Sequence, residues 1–453
     1  MKKLNILLSV LIAFSLNAQE NIKYQKPSDE ILNLVEFDRP PNVLYDDEKN
    51  YMVFLYRNNY KSISDLSEKE LRLGGLRINP KTNIGSRVTY YNNVKIKNLK
   101  DKKGQTKQVI GIPENAKLTN FSWSPDQTKI ALTNTTSEGV ELWLLTLKTG
   151  YVTKLTAPEL NANIGSAITW NTDSQLMFVK MLSPNKQPLI DTKSVVPNGP
   201  TVSTNFGAKA QNRTYQDLLK NKFDEHNFEQ LSTSTIFKVS INGESEKWLD
   251  EAMYRGISLS PDGKYVMVTQ LKKPFSYLVT YSRFPSQTDI YTNKGELVTN
   301  LLDTPLIEEL PKGRMSTRTG KRSYSWRPDQ PSTLIYVQAL DQGDPAIKIE
   351  YRDEVFEIAA PFNGEGKSLV KTINRFSGID WGTESLAIAY DYWWDTRNRK
   401  AYAFNPSNPE SKPKTIYDRN YQDVYNDPGS FLKSRNSFNR SVLQIYKGNA
   451  FLL

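Results

Sequence analysis

The chain has 453 residues, 59 Lys and Arg against 49 Asp and Glu, a single His and no Cys. Lack of cysteine excludes disulfide frameworks, thiolate nucleophiles and cysteine-ligated zinc or iron–sulfur sites. With 38% hydrophobic residues, 11% aromatics, 23 Gly and 24 Pro, the composition is that of a folded, strand-prone chain able to bury a sizeable core.

At the start, Lys2 and Lys3 precede an apolar run from Ile6 to Phe14 that ends near Ala18. That pattern reads as a signal peptide over residues 1–18, leaving 19–453 as the mature domain. No later segment reaches the roughly 18 apolar residues of a spanning helix, so the expected product is exported, periplasmic or secreted, with no membrane span. Removing the leader lowers the net charge from +10 to +8, because residues 1–18 contain no acid. The basic residues are scattered among acids, and no nucleic-acid partner is expected. Short helices are expected at 28–36 and 65–73.

The next elements follow a recurring phrase: an apolar or aromatic pair, a polar turn, then a run of β-formers. It starts at Phe121 (F-S-W-S-P-D-Q-T-K-I-A-L), Ile168, Ile257 (I-S-L-S-P-D-G-K-Y-V-M-V), Tyr324 and Ile379, with a degenerate copy from Val43. Alternating residues such as Phe121 and Trp123 share one face of a strand, the Pro-Asp step turns the chain, and a second apolar strand returns. After the first clear copy, V-E-L-W-L-L-T-L and V-T-K-L-T complete a four-stranded meander. The anchors Trp123, Trp170, Leu259, Trp326 and Trp381 are separated by 47, 89, 67 and 55 positions. Small antiparallel sheets recurring at such intervals predict an all-β fold, a β-propeller, with about six blades visible and the last unfinished. A pair of β-sandwiches is the alternative architecture, disfavoured by the recurrence of one phrase. The longest insertion, about 183–231, is expected to hold an amphipathic helix capped by Thr214 and Asp217, with Tyr215, Leu218, Leu219 and Phe223 on one face.

Catalytic signals are sparse. His226 is the sole imidazole, it lies in D-E-H-N-F-E, and no G-x-S-x-G elbow occurs. A packing or surface histidine is expected, and no metal or other cofactor. The acid pairs Asp46-Asp47 and Glu308-Glu309 sit in loops and do not read as a glycosidase dyad. The basic stretch from Lys312 to Arg322 could hold acidic groups of a peptide through bidentate hydrogen bonds, against the plainer reading of a solvated loop with internal ion pairs. The aromatic cluster Tyr390, Tyr392, Trp393 and Trp394 reads as packing between blades or as a peptide contact.

Several longer phrases carry a resemblance. L-R-L-G-G-L-R-I-N-P-K-T-N-I-G-S-R from Leu71, R-T-Y-Q-D-L-L-K from Arg213, K-P-F-S-Y from Lys273, S-R-F-P from Ser282, R-T-G-K-R-S-Y-S-W-R-P-D-Q-P-S-T-L from Arg318 and D-V-Y-N-D-P-G-S from Asp423 are similar to the amino-terminal part of the glutamyl endopeptidases, within the prolyl oligopeptidase family of serine peptidases. The resemblance runs from about Tyr24 onward. It implies a seven-bladed propeller that covers an α/β-hydrolase domain and limits which peptide substrates reach a Ser-Asp-His triad.

No residue of this chain matches that triad, so the expectation is a non-catalytic portion, inactive alone, truncated within a strand so that Phe451, Leu452 and Leu453 are left unpaired. Its normal partner is a hydrolase domain on the same chain, and its oligomeric state is open. Glu-type specificity would require a positive group near the scissile bond, for which Arg318 and Arg322 are the candidates on this side. A stand-alone envelope propeller that binds without catalysis, and a decayed gene product, are the alternatives. An open reading frame continuing into G-x-S-x-G beyond codon 453 would separate them.

Overall fold

The computed structural model describes residues 25–101, 103–191, 194–196, 199–200 and 214–453, so the expected leader lies outside them. Every copy of the repeated phrase forms the first two strands of an antiparallel sheet. Sheet 1 joins Asn42–Tyr45, Tyr51–Tyr56, Asn93–Asn98 and Lys107–Gln108, and sheet 2 joins Leu118–Trp123, Lys129–Thr135, Val140–Thr146 and Tyr151–Lys154. Sheets 3 and 4 share the strand Ser245–Leu259. Its residues 245–252 close sheet 3 after Ile168–Trp170, Leu176–Leu182 and Ser234–Ser240. Residues 253–259 then open sheet 4, ahead of Tyr265–Leu271, Ser286–Thr292 and Leu297–Thr304. Sheet 5 comprises Arg322–Trp326, Thr333–Ala339, Asp353–Ala359 and Lys367–Thr372, and sheet 6 comprises Arg375–Thr383, Leu386–Trp393, Asn398–Phe404 and Lys414–Asn420. A further hairpin pairs Lys433–Arg435 with Ser441–Leu443.

In sheets 2 to 5 the central strands bury apolar residues on both faces because each sheet packs against two neighbours. Ile130 and Leu132 meet Val53, Leu55, Val94 and Ile96 of sheet 1, whereas Ala131 between them faces Met177 and Val179 of sheet 3. In sheet 5, Leu334 and Tyr336 cluster with Ile290 of sheet 4, while Ile335 and Val337 cluster with Trp381, Ala387 and Ala389 of sheet 6. Each such aliphatic side chain, fully buried, contributes roughly 1.5–3 kcal/mol. Consecutive sheets stacked face to face in chain order are the blades of a β-propeller. There are six four-stranded blades among the described residues, and the hairpin at 433–443 stands beyond the sixth.

The repeated residues have repeated jobs. Ser124 Oγ donates to Asp126 Oδ1 at 2.6 Å and accepts from Lys129 N at 3.0 Å. Ser260 does the same with Asp262 at 2.7 Å and Tyr265 N at 3.0 Å, which fixes both Pro-Asp turns. The anchor indoles tie neighbouring first strands together. Trp170 Nε1 donates to Ser122 O at 3.0 Å, and Trp326 Nε1 donates to Ser258 O at 3.2 Å. Because every first strand runs toward its turn, the turns share one end of the ring.

Three expectations need correction. The inserted helix, α3, spans Lys222–Ser232 with Asn221 as its N-cap, not a segment capped at Thr214. Asp217 is held at φ 58°, which breaks a helix there, and its carboxylate meets Arg77 Nε at 2.5 Å. The first short helix, α1 at Asp29–Val35, forms as expected, but α2 covers only Ile63–Ser67. Leu71–Leu73 is a strand that turns at Gly74-Gly75, both at positive φ, to pair with Leu76–Asn79. Finally, residues 451–453 are paired: Ser430 N donates to Leu453 O at 2.9 Å and Leu453 N to Ser430 O at 3.0 Å.

Candidate functional site

Between sheets 4 and 5, toward the end opposite the Pro-Asp turns, lies a cavity of about 570 Å³. Sheet 4 supplies Arg255 from its first strand, Thr269 from its second, Ser286 and Thr288 from its third and Thr304 from its fourth. Arg318 enters from the segment linking the sheets, Arg322 from the first strand of sheet 5, and Arg283 from the short turn Tyr281–Arg283. Four arginines therefore line the cavity, and no Asp or Glu is among the lining residues. Hydroxyls of Thr269 and Thr288, 3.0 Å apart, add neutral polarity.

The fold positions each guanidinium differently. Arg255 Nη1 donates to Ser282 O at 3.4 Å, and Arg283 lies over the Tyr215 ring at 5.4 Å. Arg318 Nη1 donates to Thr319 O at 3.2 Å and its Nη2 to Lys321 O, both neutral carbonyls. Burial, and then the like charge of Arg322, lower the Arg318 pKa below its usual value. An anion in the cavity would relieve the second effect. Burial also pushes the Tyr324 phenol up to about 12.

Arg322 is more firmly engaged than the sequence indicates. Its Nη2 is 2.5 Å from Asp353 Oδ2, the edge of a buried network. Arg375 Nη1 lies 3.0 Å from Asp353 Oδ1 and 2.7 Å from Asp341 Oδ1, and Arg352 Nη1 lies 2.8 Å from Asp341 Oδ2. Both aspartates are essentially inaccessible, at 0% and 1% exposure. Three cations against two anions leave this junction positive beside the cavity. Arg375 Nε also donates to Met315 O at 2.8 Å, which pins the basic loop.

The basic stretch and the aromatic cluster, remote in sequence, meet through cation–ring contacts. Arg314 and Arg397 lie over the Trp394 ring at 4.3 and 4.1 Å, and Arg352 lies over Trp393 at 4.1 Å. Tyr390 instead turns inward, donating to Asp380 Oδ2 at 2.9 Å. His226 lies on α3 with Nε2 3.0 Å from Pro188 O, a packing role. Of the acid pairs, Asp46 accepts from Tyr51 N at 2.5 Å and Glu308 accepts from Ser276 Oγ at 2.5 Å.

The structure thus brings Arg318 and Arg322 together and adds Arg255 and Arg283. Neither addition has a local motif. The one signal in the sequence is that Arg283 belongs to the S-R-F-P phrase; Arg255 is a lone cation in a strand and becomes meaningful only when sheet 4 is folded.

Fold and cavity define a β-propeller with a cationic recess between two blades. No model of a protein family matches the chain. A probable chloroplastic glutamyl endopeptidase of Oryza sativa subsp. japonica is 34% identical over 434 residues, 93% of this chain and 46% of that protein. The corresponding protein of Arabidopsis thaliana is 31% identical over 425 residues, 91% of this chain and 44% of that one. Among solved structures, a prolyl endopeptidase is similar at a TM-score of 0.41 and 12% identity, covering 84% of this chain and 44% of its own. The chain is a relative of the glutamyl endopeptidases and spans less than half of their length.

Proposed function

We propose that this chain is the non-catalytic propeller portion of an exported, glutamyl endopeptidase-like serine peptidase, and that it screens polypeptides on their way to a hydrolase domain outside these residues. The observation that carries the proposal is the 34% identity sustained over 93% of the chain. The cavity supports it chemically. Guanidinium groups bind carboxylates through paired, charge-assisted hydrogen bonds, and a recess without competing acids favours an acidic segment of a flexible peptide. Arg318 is the principal contact in this proposal, with Arg322 as a second positive group anchored by Asp353.

Screening is steric: folded proteins are too wide to enter between a propeller and a domain docked on it, whereas flexible segments fit and react away from bulk water. The test is active-site labelling. A fluorophosphonate probe should leave the 453-residue chain unlabelled and label a longer protein that includes the downstream frame. Labelling of the 453-residue chain would refute the proposal.

A further inference from the structure

The hairpin at 433–443 occupies the sector between sheets 6 and 1. On one side Lys433 Nζ is 2.6 Å from Asp380 Oδ1, and Leu443 clusters with Ile388 and Ala401 of sheet 6. On the other, Arg435 Nη2 is 2.5 Å from Asp47 Oδ2 in the first turn of sheet 1. A blade in that sector would be expected to stop at these two neighbours.

Its turn goes further. Arg435 Nη1 donates to Pro125 O of sheet 2 at 3.3 Å. Asn436 Nδ2 donates to Pro328 O of sheet 5 at 2.7 Å. Arg440 Nη2 donates to Leu259 O at 3.0 Å and Ser260 O at 3.4 Å in sheet 4. Phe438, Asn439 and Arg440 line a space of about 350 Å³ together with Trp123 of sheet 2 and Trp170 of sheet 3.

Pro125 and Pro328 stand at matching positions of their sheets, and Ser260 is one residue before the equivalent Pro261, so all three lie where the first strand ends and the Pro-Asp turn begins. Those ends surround one mouth of the central channel. A single short turn that touches the equivalent Pro-Asp turns of sheets on opposite sides of a ring must lie across its axis.

We propose that residues 436–440 are a built-in plug that closes the Pro-Asp mouth of the channel. A polypeptide then cannot thread the propeller through that mouth, and access is confined to the opposite face, toward which the guanidinium cavity lies. The plug deepens the screening function proposed above, yet it is a property of these residues and can be tested without any catalytic domain. Its links to the far wall are hydrogen bonds to backbone carbonyls, so it can be released by substitution without rebuilding a blade.

The cysteine-free sequence gives a clean background for the test. Thr169→Cys places one thiol on the first strand of sheet 3, in the wall beside Arg440. A maleimide carrying a polyethylene glycol chain should modify it at least about tenfold more slowly than in a Thr169→Cys chain that also carries Asn436→Ala, Arg435→Ala and Arg440→Ala, because reactivity scales with the open fraction. Equal rates in two folded proteins of matching circular dichroism would overturn the proposal. If the multiple variant fails to fold, Thr169→Cys with Phe438→Cys replaces it. A short bismaleimide should join the two thiols within one chain, and singly attached reagent alone would overturn the plug.

Discussion

Arg375 and Lys180 are both buried cations, at 5% and 2% exposure, and the protein treats them in opposite ways. Arg375, between sheets 5 and 6, is surrounded by Asp341 and Asp353 and by the Met315 carbonyl. Lys180, in the second strand of sheet 3, donates to the Ile164 carbonyl. Burial alone lowers the Lys180 pKa to about 7. The difference teaches where charge is structural and where it is a liability. The ionic junction fixes a loop and keeps positive potential beside the cavity, whereas the lysine in sheet 3 opposes folding whenever it is protonated.

The sharpest way to break the comparison is Asp353→Ala. It leaves Arg375 and Arg322 without a carboxylate they share, and should cost about 3–5 kcal/mol in denaturant unfolding. Lys180→Met should act in the opposite direction, raising stability by ~2–4 kcal/mol at pH 7, since a displaced proton equilibrium is worth about 1.4 kcal/mol per pH unit. The sign of its pH dependence is fixed. From pH 7 up to the ordinary lysine range the unfolded chain holds the proton and the folded chain does not, so stability rises with pH across that window and levels off below it. Unfolding curves from pH 6 to 10 should show this slope in the parent chain and lose it in Lys180→Met. A smaller effect is expected for Trp326→Phe, which removes the bond to Ser258 O and should cost about 1 kcal/mol. Arg318→Ala should be nearly neutral for stability, within about 1 kcal/mol, because lost bonds to carbonyls are offset by relief from Arg322.

Much of the ring was legible because local chemistry repeats. Ser-Pro-Asp turns and anchor tryptophans recur, and each reappears in the structure as the opening of a sheet. Arg318 and Arg322 could be picked out because they stand in a dense basic run. What was hidden depends on distant pairing. Asp217 looks like a helix cap until Arg77 claims its carboxylate, and Leu71 to Leu73 look helical until Gly74-Gly75 turns them into a strand. Arg327 follows an anchor tryptophan in the place where two other copies have serine, Ser124 and Ser260. Its contacts, Asp329 at 2.6 Å and the Trp381 ring at 4.2 Å, show that the exchange replaces a turn-forming hydroxyl with a link to the next blade. The reach of residues 436–440 across the channel has no local signature at all, because it depends on the sheets that surround it.

The cavity can be tested on the 453-residue chain by calorimetric titration with two flexible peptides that differ only in Glu against Gln. The glutamate peptide should bind more tightly, and Arg318→Ala should abolish that preference while leaving the fold intact. Equal affinity for the two peptides, or a preference that survives removal of Arg318, would contradict a cavity built for acidic segments.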